Sequence, residues 1–312
     1  MSIRASIFLA FILCTLLSYV LVMILPKSIS AQDITNYYKL AEMNISMQEI
    51  MMLVVERKNP LEAISFFTSI GFLTLNMIIG ILDFELYKIV FTLIINMTLF
   101  LGIKKNIDID FNFINYSIFY LLIILTLPVF ILYGYGWRQA CAIGFYLCLR
   151  KGTLIDIVYI VVIALTFHLS VLIILGAELA TRLQVKSKIL IIAGSLLFSY
   201  LFFQYAPLYG EQDGKSLSLV ATITVLMVIL IPTVNDKSVV NSPIFIFSLS
   251  FLAYALLFGV GDLEMYRIMP ILFIFLLIEI KNITFLGVML FIFTNYMFVS
   301  FITQRFILDA NL

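Results

Sequence analysis

Long apolar runs constrain this chain more than any other feature. Residues 5–25, 189–203 and 217–231 are nearly unbroken apolar stretches. A segment inside a bilayer has no water to satisfy its backbone, so only helices and closed barrels cross. Barrel strands alternate apolar and polar residues over about ten positions. These runs do not alternate, so helices are expected. One crossing takes about 20 residues, because each residue rises about 1.5 Å through a hydrocarbon core of roughly 30 Å. With 63% hydrophobic and only 12% charged residues, the chain exceeds what a soluble fold of its size buries. The expectation is an all-α polytopic integral membrane protein, residues 1–312 forming a single transmembrane domain of about 10 membrane helices.

A net charge of +1 leaves no electrostatic footprint for nucleic acid. Cys14, Cys141 and Cys148 sit inside apolar stretches with no His or Cys nearby, matching no zinc or redox motif. They are read as small packing residues. Phosphate loops, metalloprotease motifs and nucleophile elbows are missing from the sequence, so no cofactor and no metal are expected. The run at 5–25 exceeds the 7–15 residues of a signal-peptide core, so an uncleaved first helix is expected.

After that helix, residues 26–60 form the most polar part of the chain, with a surface amphipathic helix expected near 45–55. Apolar segments follow at 61–82, 85–103, 113–132, 138–149, 154–177, 188–205, 217–234, 243–260, 265–280 and 283–303. Lysine and arginine collect in short cytoplasmic loops. That rule puts Arg4, Lys104, Lys105, Arg150, Lys151, Arg182, Lys186, Lys188, Lys237 and Lys281 on the cytoplasmic side. The assignment requires segment 61–82 to dip in and return, and 154–181 to break near its middle, close to His168. Interrupted backbone at membrane depth survives only where it is buried in protein or lines a cavity. Arg138, His168 and Arg267 are then expected near the outer face.

Ionisable residues within apolar segments are costly unless paired or wet, which makes each one a candidate. Arg138 follows Tyr133-Gly134-Tyr135-Gly136-Trp137 at the start of a helix, against the positive end of the helix dipole. An anion shared between them relieves that conflict. An interfacial Trp-Arg anchor is the ordinary alternative. His168 is the only histidine, and it serves either as a donor to an anion, as a base, or as a structural bridge between helices. Arg267 opens another helix just after Asp262 and Glu264, where a local salt bridge is the ordinary explanation. Asp33, Tyr37, Tyr38 and Glu62 lie in or beside the first outer loop, with surface solvation as the ordinary alternative.

Taken in order, these residues resemble the EpsG family of polysaccharide polymerases, relatives of Wzy-type O-antigen and capsule polymerases. The specific part is Gly136-Trp137-Arg138-Gln139-Ala140 followed about thirty residues later by Phe167-His168-Leu169-Ser170. Asp33, Tyr37-Tyr38, Glu62 and Tyr266-Arg267-Ile268 add weaker matches. At Glu62-Ala63 the chain departs from the family's usual Glu-Pro-Gly, and it lacks an additional first helix that many members carry. The resemblance implies a GT-C-like, metal-independent inverting glycosyltransferase in a bacterial cytoplasmic (inner) membrane, facing the periplasm or cell exterior. It would polymerise undecaprenyl-diphosphate-linked oligosaccharide repeats, as donor and acceptor, for O-antigen, capsule, exopolysaccharide or lipopolysaccharide biosynthesis. Membrane lipid and a chain-length regulator protein are the further partners implied. In that scheme Arg138, His168 and Arg267 are catalytic, and Asp33, Tyr37, Tyr38, Glu62, Trp137, Gln139, Ser170 and Tyr266 bind substrate. An O-antigen ligase and a non-enzymatic flippase or transporter of lipid-linked sugar are the alternatives.

Overall fold

A computed structural model describes residues 11–16, 19, 35, 37–42, 70–108, 113–124, 126, 129, 132, 133, 136–182, 187–205, 230, 237–258 and 262–281. Of residues 113, 114, 169, 180–182, 204, 205, 237, 238 and 262–267 it gives the backbone alone. The described residues are helical, with no strand among them. The main helices are α1 (Ile70–Ile79), α2 (Phe84–Asn106), α3 (Phe113–Ile124), α4 (Trp137–Leu149), α5 (Ile155–Thr166), α6 (Leu172–Arg182), α7 (Lys188–Tyr205), α8 (Pro243–Leu257) and α9 (Asp262–Ile278). Only α2, at 23 residues, is both long and apolar enough among them to cross a membrane unaided. Helical residues 11–16 come from the expected first helix, but the 45–55 segment and the apolar segments 217–234 and 283–303 fall almost wholly outside the described residues.

Side-chain contacts fix the direction of each helix. At one end Tyr87 and Phe91 of α2 meet Trp137 of α4, with ring centroids 5.9 and 5.0 Å apart. At the other end Asn106 donates to the Leu147 carbonyl (2.8 Å) and accepts from Arg150 (3.3 Å). The two helices therefore run parallel. Between these ends their backbones approach closely, since a Cβ at Gly144 would overlap Thr98 and one at Gly102 would overlap Leu147. α3 runs opposite to α2, because Tyr116 donates to the Phe100 carbonyl (2.6 Å) and Tyr120 to Asn96 Oδ1 (3.3 Å). α7 and α8 run parallel, tied by Lys188 to Asn241 (2.8 Å) at their starts and by Phe203 on Tyr254 (5.8 Å) towards their ends.

α5 and α6 form a hairpin. Asp156, near the start of α5, accepts from the amides of Lys151 and Gly152 (both 2.8 Å). Glu178, near the end of α6, binds Arg150 at 2.6 Å. Both outer ends of the hairpin therefore sit beside the loop that follows α4. The turn back is made at Phe167 and His168 and the 3-10 stretch Leu169–Val171. Gly152 has φ +75°, a left-handed conformation that other residues rarely adopt. With 12 and 11 residues, α5 and α6 reach about 18 Å each, roughly half the length of α2. The break expected near the middle of 154–181 falls where the sequence located it.

The result is a bundle with two unlike ends. Lys104, Lys105, Arg150, Lys151, Arg182, Lys188, Lys237 and Lys281 all belong to helix ends or turns at the end where Glu178 meets Arg150. The opposite, aromatic end holds Tyr37, Tyr38, Tyr87 and Trp137.

At the basic end, Glu178 is 2% exposed and accepts from both Arg150 and the Tyr146 hydroxyl (2.7 Å). Removing one member of such a pair strands the other charge, at a cost of about 3–5 kcal/mol. Arg150→Met should therefore lower the thermal midpoint in detergent sharply. Adding Glu178→Leu and Tyr146→Phe, which removes the stranded groups together, should recover most of the loss.

Candidate functional site

The aromatic end is assembled from three places in the sequence. Residues 37–42 are helical and lie over the turn between α1 and α2. Tyr37 packs edge-on against Phe72 (5.0 Å), and Tyr38 packs against Phe84 (5.0 Å) and Tyr87 (5.1 Å). Asn76, fully buried, donates to the Tyr37 carbonyl (2.7 Å) and accepts from the Tyr87 hydroxyl. From there the aromatic contacts run through Tyr87 and Phe91 to Trp137. Two of the tyrosines expected in the first outer loop thus join the Trp137-Arg138 segment through side chains that composition did not single out.

Trp137 does not sit at a surface. It is 1% exposed, stacks on Phe91, and donates its indole N–H to the Tyr133 carbonyl (2.7 Å). That removes the physical basis of an interfacial anchor, which requires the indole at the rim. Arg138, one residue further on, is half-buried. The N-cap of α4 is Gly136, which has no side chain to cap with, so Arg138 stands in the first turn of a helix that its own N-cap residue does not cap. Gln139 is buried beneath it.

α9 runs parallel to α4. Phe275 stacks on Tyr146 at 5.9 Å, and Glu279 lies within electrostatic reach of Arg150, Glu178 and Lys281. Arg138 comes eight residues before Tyr146, and Arg267 eight residues before Phe275. Both arginine positions therefore lie on the aromatic-end side of that stacked pair, Arg267 beyond the proline inside α9. Pro270 sits inside α9 without an N–H, so the Tyr266 carbonyl loses its helical partner one residue before Arg267.

The hairpin turn before His168 stands against both α4 and α1: Phe167 packs on Phe145 (5.2 Å), and a Cβ at Gly71, next to Phe72 of the aromatic cluster, would stand 2.9 Å from Thr166. Ser170, expected to face substrate, is fully buried with its Oγ 2.6 Å from His168 Nδ1. Asp33 and Glu62 lie outside the described residues, and Tyr266 and Arg267 are described by backbone alone. Among the described residues no group of His, Cys, Asp and Glu could hold a metal.

Asn76, Tyr87 and, deeper, Asn96 with Tyr120 and Tyr133 escaped the sequence analysis. Asn76 and Asn96 are polar residues inside apolar helices, and that alone marks them. Asn76→Leu should leave the buried Tyr87 hydroxyl without its acceptor and release the Tyr37 carbonyl, costing about 1–3 kcal/mol. Hydrogen exchange should show faster exchange confined to residues 37–42 and the start of α2; uniform loss of protection would contradict this arrangement.

Compared with known proteins, the chain matches no family model, no curated protein and no solved structure.

Proposed function

We propose that the protein is an inverting, metal-independent glycosyltransferase of a bacterial cytoplasmic membrane, joining glycan repeat units carried on undecaprenyl diphosphate. The observation that carries this proposal is that Arg138 and Arg267 both precede the Tyr146–Phe275 stack on parallel helices, towards the end of the bundle away from the other basic loops. Breaking a sugar–diphosphate bond develops negative charge on the departing oxygens, and fixed cations aimed there lower the barrier. Arginine suits that task through its permanent charge and planar fork of donors. In this scheme Arg138 and Arg267 bind the diphosphate. Tyr37 and Tyr38 offer aromatic faces for the sugars, backed by the buried Trp137, and Asp33, Glu62 and Tyr266 are the further sugar-binding candidates. The collection of Lys104, Lys105, Arg150, Lys151, Lys188 and Lys281 at the opposite end supports a cytoplasmic assignment for that end and an outward-facing site.

Purified protein in vesicles should lengthen lipid-linked repeat units into a ladder without nucleotide sugar or added metal. Arg138→Ala should reduce the ladder by about 10²-fold or more, as loss of a transition-state donor does, while the protein still inserts and melts normally. A half-length hairpin such as α5–α6 is also a feature of transporters, which makes a flippase the second candidate. Substrate that changes leaflet with its length unaltered would establish that alternative instead.

Orientation has its own test. In a background without Cys14, Cys141 and Cys148, Lys105→Cys and Lys281→Cys should react with an impermeant thiol reagent only from the cytoplasmic side, and Asp83→Cys only from outside. Labelling of Lys105→Cys from outside would invert the scheme.

A further inference from the structure

We propose that Tyr133 is a positioning residue for the Arg138 site: it ties the start of α4 to α2 and α3, and so fixes the direction in which Arg138 is presented. The consequence for turnover rests on the function proposed above; the tie itself does not.

Tyr133 is fully buried and is held at both of its polar ends. Its hydroxyl donates to the Asn96 side-chain oxygen on α2 and lies 3.4 Å from the Tyr120 hydroxyl on α3. Its carbonyl accepts the indole N–H of Trp137 at 2.7 Å. The indole ring itself stacks on Phe91 and lies against Tyr87, both on α2. Asn96 comes five residues after Phe91. The same helix therefore grips the chain twice, once through Tyr133 and once through Trp137.

The start of α4 depends on such a tie. Its N-cap, Gly136, supplies no side chain to the first-turn amides. Helix ends open at little cost where nothing holds them. Arg138 is the second residue of that turn, directly after Trp137. A guanidinium on a long side chain lowers a barrier when it is aimed beforehand at the oxygens where charge develops. A misplacement of about 1 Å costs up to about 10²-fold in rate. Tyr133 acts on Arg138 through Trp137 and the backbone and does not touch the ligand.

The tie can be cut without stranding its anchor. In Tyr133→Phe, Asn96 keeps the Tyr120 hydroxyl as a donor (3.3 Å), and the residue 133 carbonyl still accepts the indole N–H. The thermal midpoint should therefore fall no further than in Tyr116→Phe. That control removes a buried bond of the same kind, from α3 to the Phe100 carbonyl of α2 (2.6 Å), nine residues beyond Phe91.

Because Trp137 is the only tryptophan in the chain, its fluorescence reports on this junction alone. Tyr133→Phe should shift its emission to the red and quench faster with acrylamide, while Tyr116→Phe should match wild type in both. In the lengthening assay Tyr133→Phe should lose about 10- to 100-fold in kcat with KM little changed. A loosened Arg138 still meets the bound diphosphate but is no longer aimed at the charge of the transition state. Tyr116→Phe should keep wild-type kcat. Wild-type emission or wild-type kcat in Tyr133→Phe, or an equal loss of kcat in Tyr116→Phe, would overturn the proposal. Should wild-type protein lengthen no glycan at all, the proposed function falls while the Trp137 spectrum still decides whether Tyr133 holds the start of α4.

Discussion

Taking the Arg150 guanidinium and the Glu178 carboxylate out of water costs several kcal/mol for each ion. The bundle offsets this by surrounding them. Arg150 reaches Glu178 at 2.6 Å and Asn106 at 3.3 Å, while Tyr146 donates to the same carboxylate. Those few bonds tie the end of α2, the end of α4 and the returning limb α6 to one point, with Glu279 after α9 close by. A buried pair satisfied only in one arrangement specifies which helices meet and in what register, even where its net contribution to stability is small.

Register at that end determines what stands at the other. Helices carry position along their length at about 1.5 Å per residue, so the stacking of Tyr146 on Phe275 also sets Arg138 and the start of α9 towards the same end of the bundle. The close approach of α2 and α4 at Gly102 and Gly144 brings Tyr87 and Phe91 against Trp137, and Asn76 then ties in the segment bearing Tyr37 and Tyr38. The aromatic end thus inherits its geometry from contacts made far from it.

The helical class was legible because the long apolar runs are continuous and do not alternate as strands do. The interruption near His168 was legible from charge: Arg150, Lys151 and Arg182 can share one side only if the chain between them turns back. The partners of the turn were not legible: the apolar segment at 154–177 gives no sign that Gly71, from a distant segment, packs on Thr166 where the helix ends. Burial was equally hidden, since Trp137 and Ser170 look like ligands in the sequence and are enclosed by partners far away or, for Ser170, by its own turn. Asn76 and Tyr87 went unnoticed because neutral polar residues in apolar helices are quieter than charges, although their mutual bond links the outer segment to the bundle.

The loop at Gly152 has a mechanical meaning beyond joining two helices. Its left-handed glycine and the two amides held by Asp156 set the angular phase in which α5 begins. A helix with 3.6 residues per turn advances about 100° for each residue. One extra residue before Asp156 would swing the whole hairpin by that angle and aim the imidazole at a different wall. The orientation of the His168 side chain is therefore governed from the opposite end of the hairpin, as a key's bit is governed by its bow.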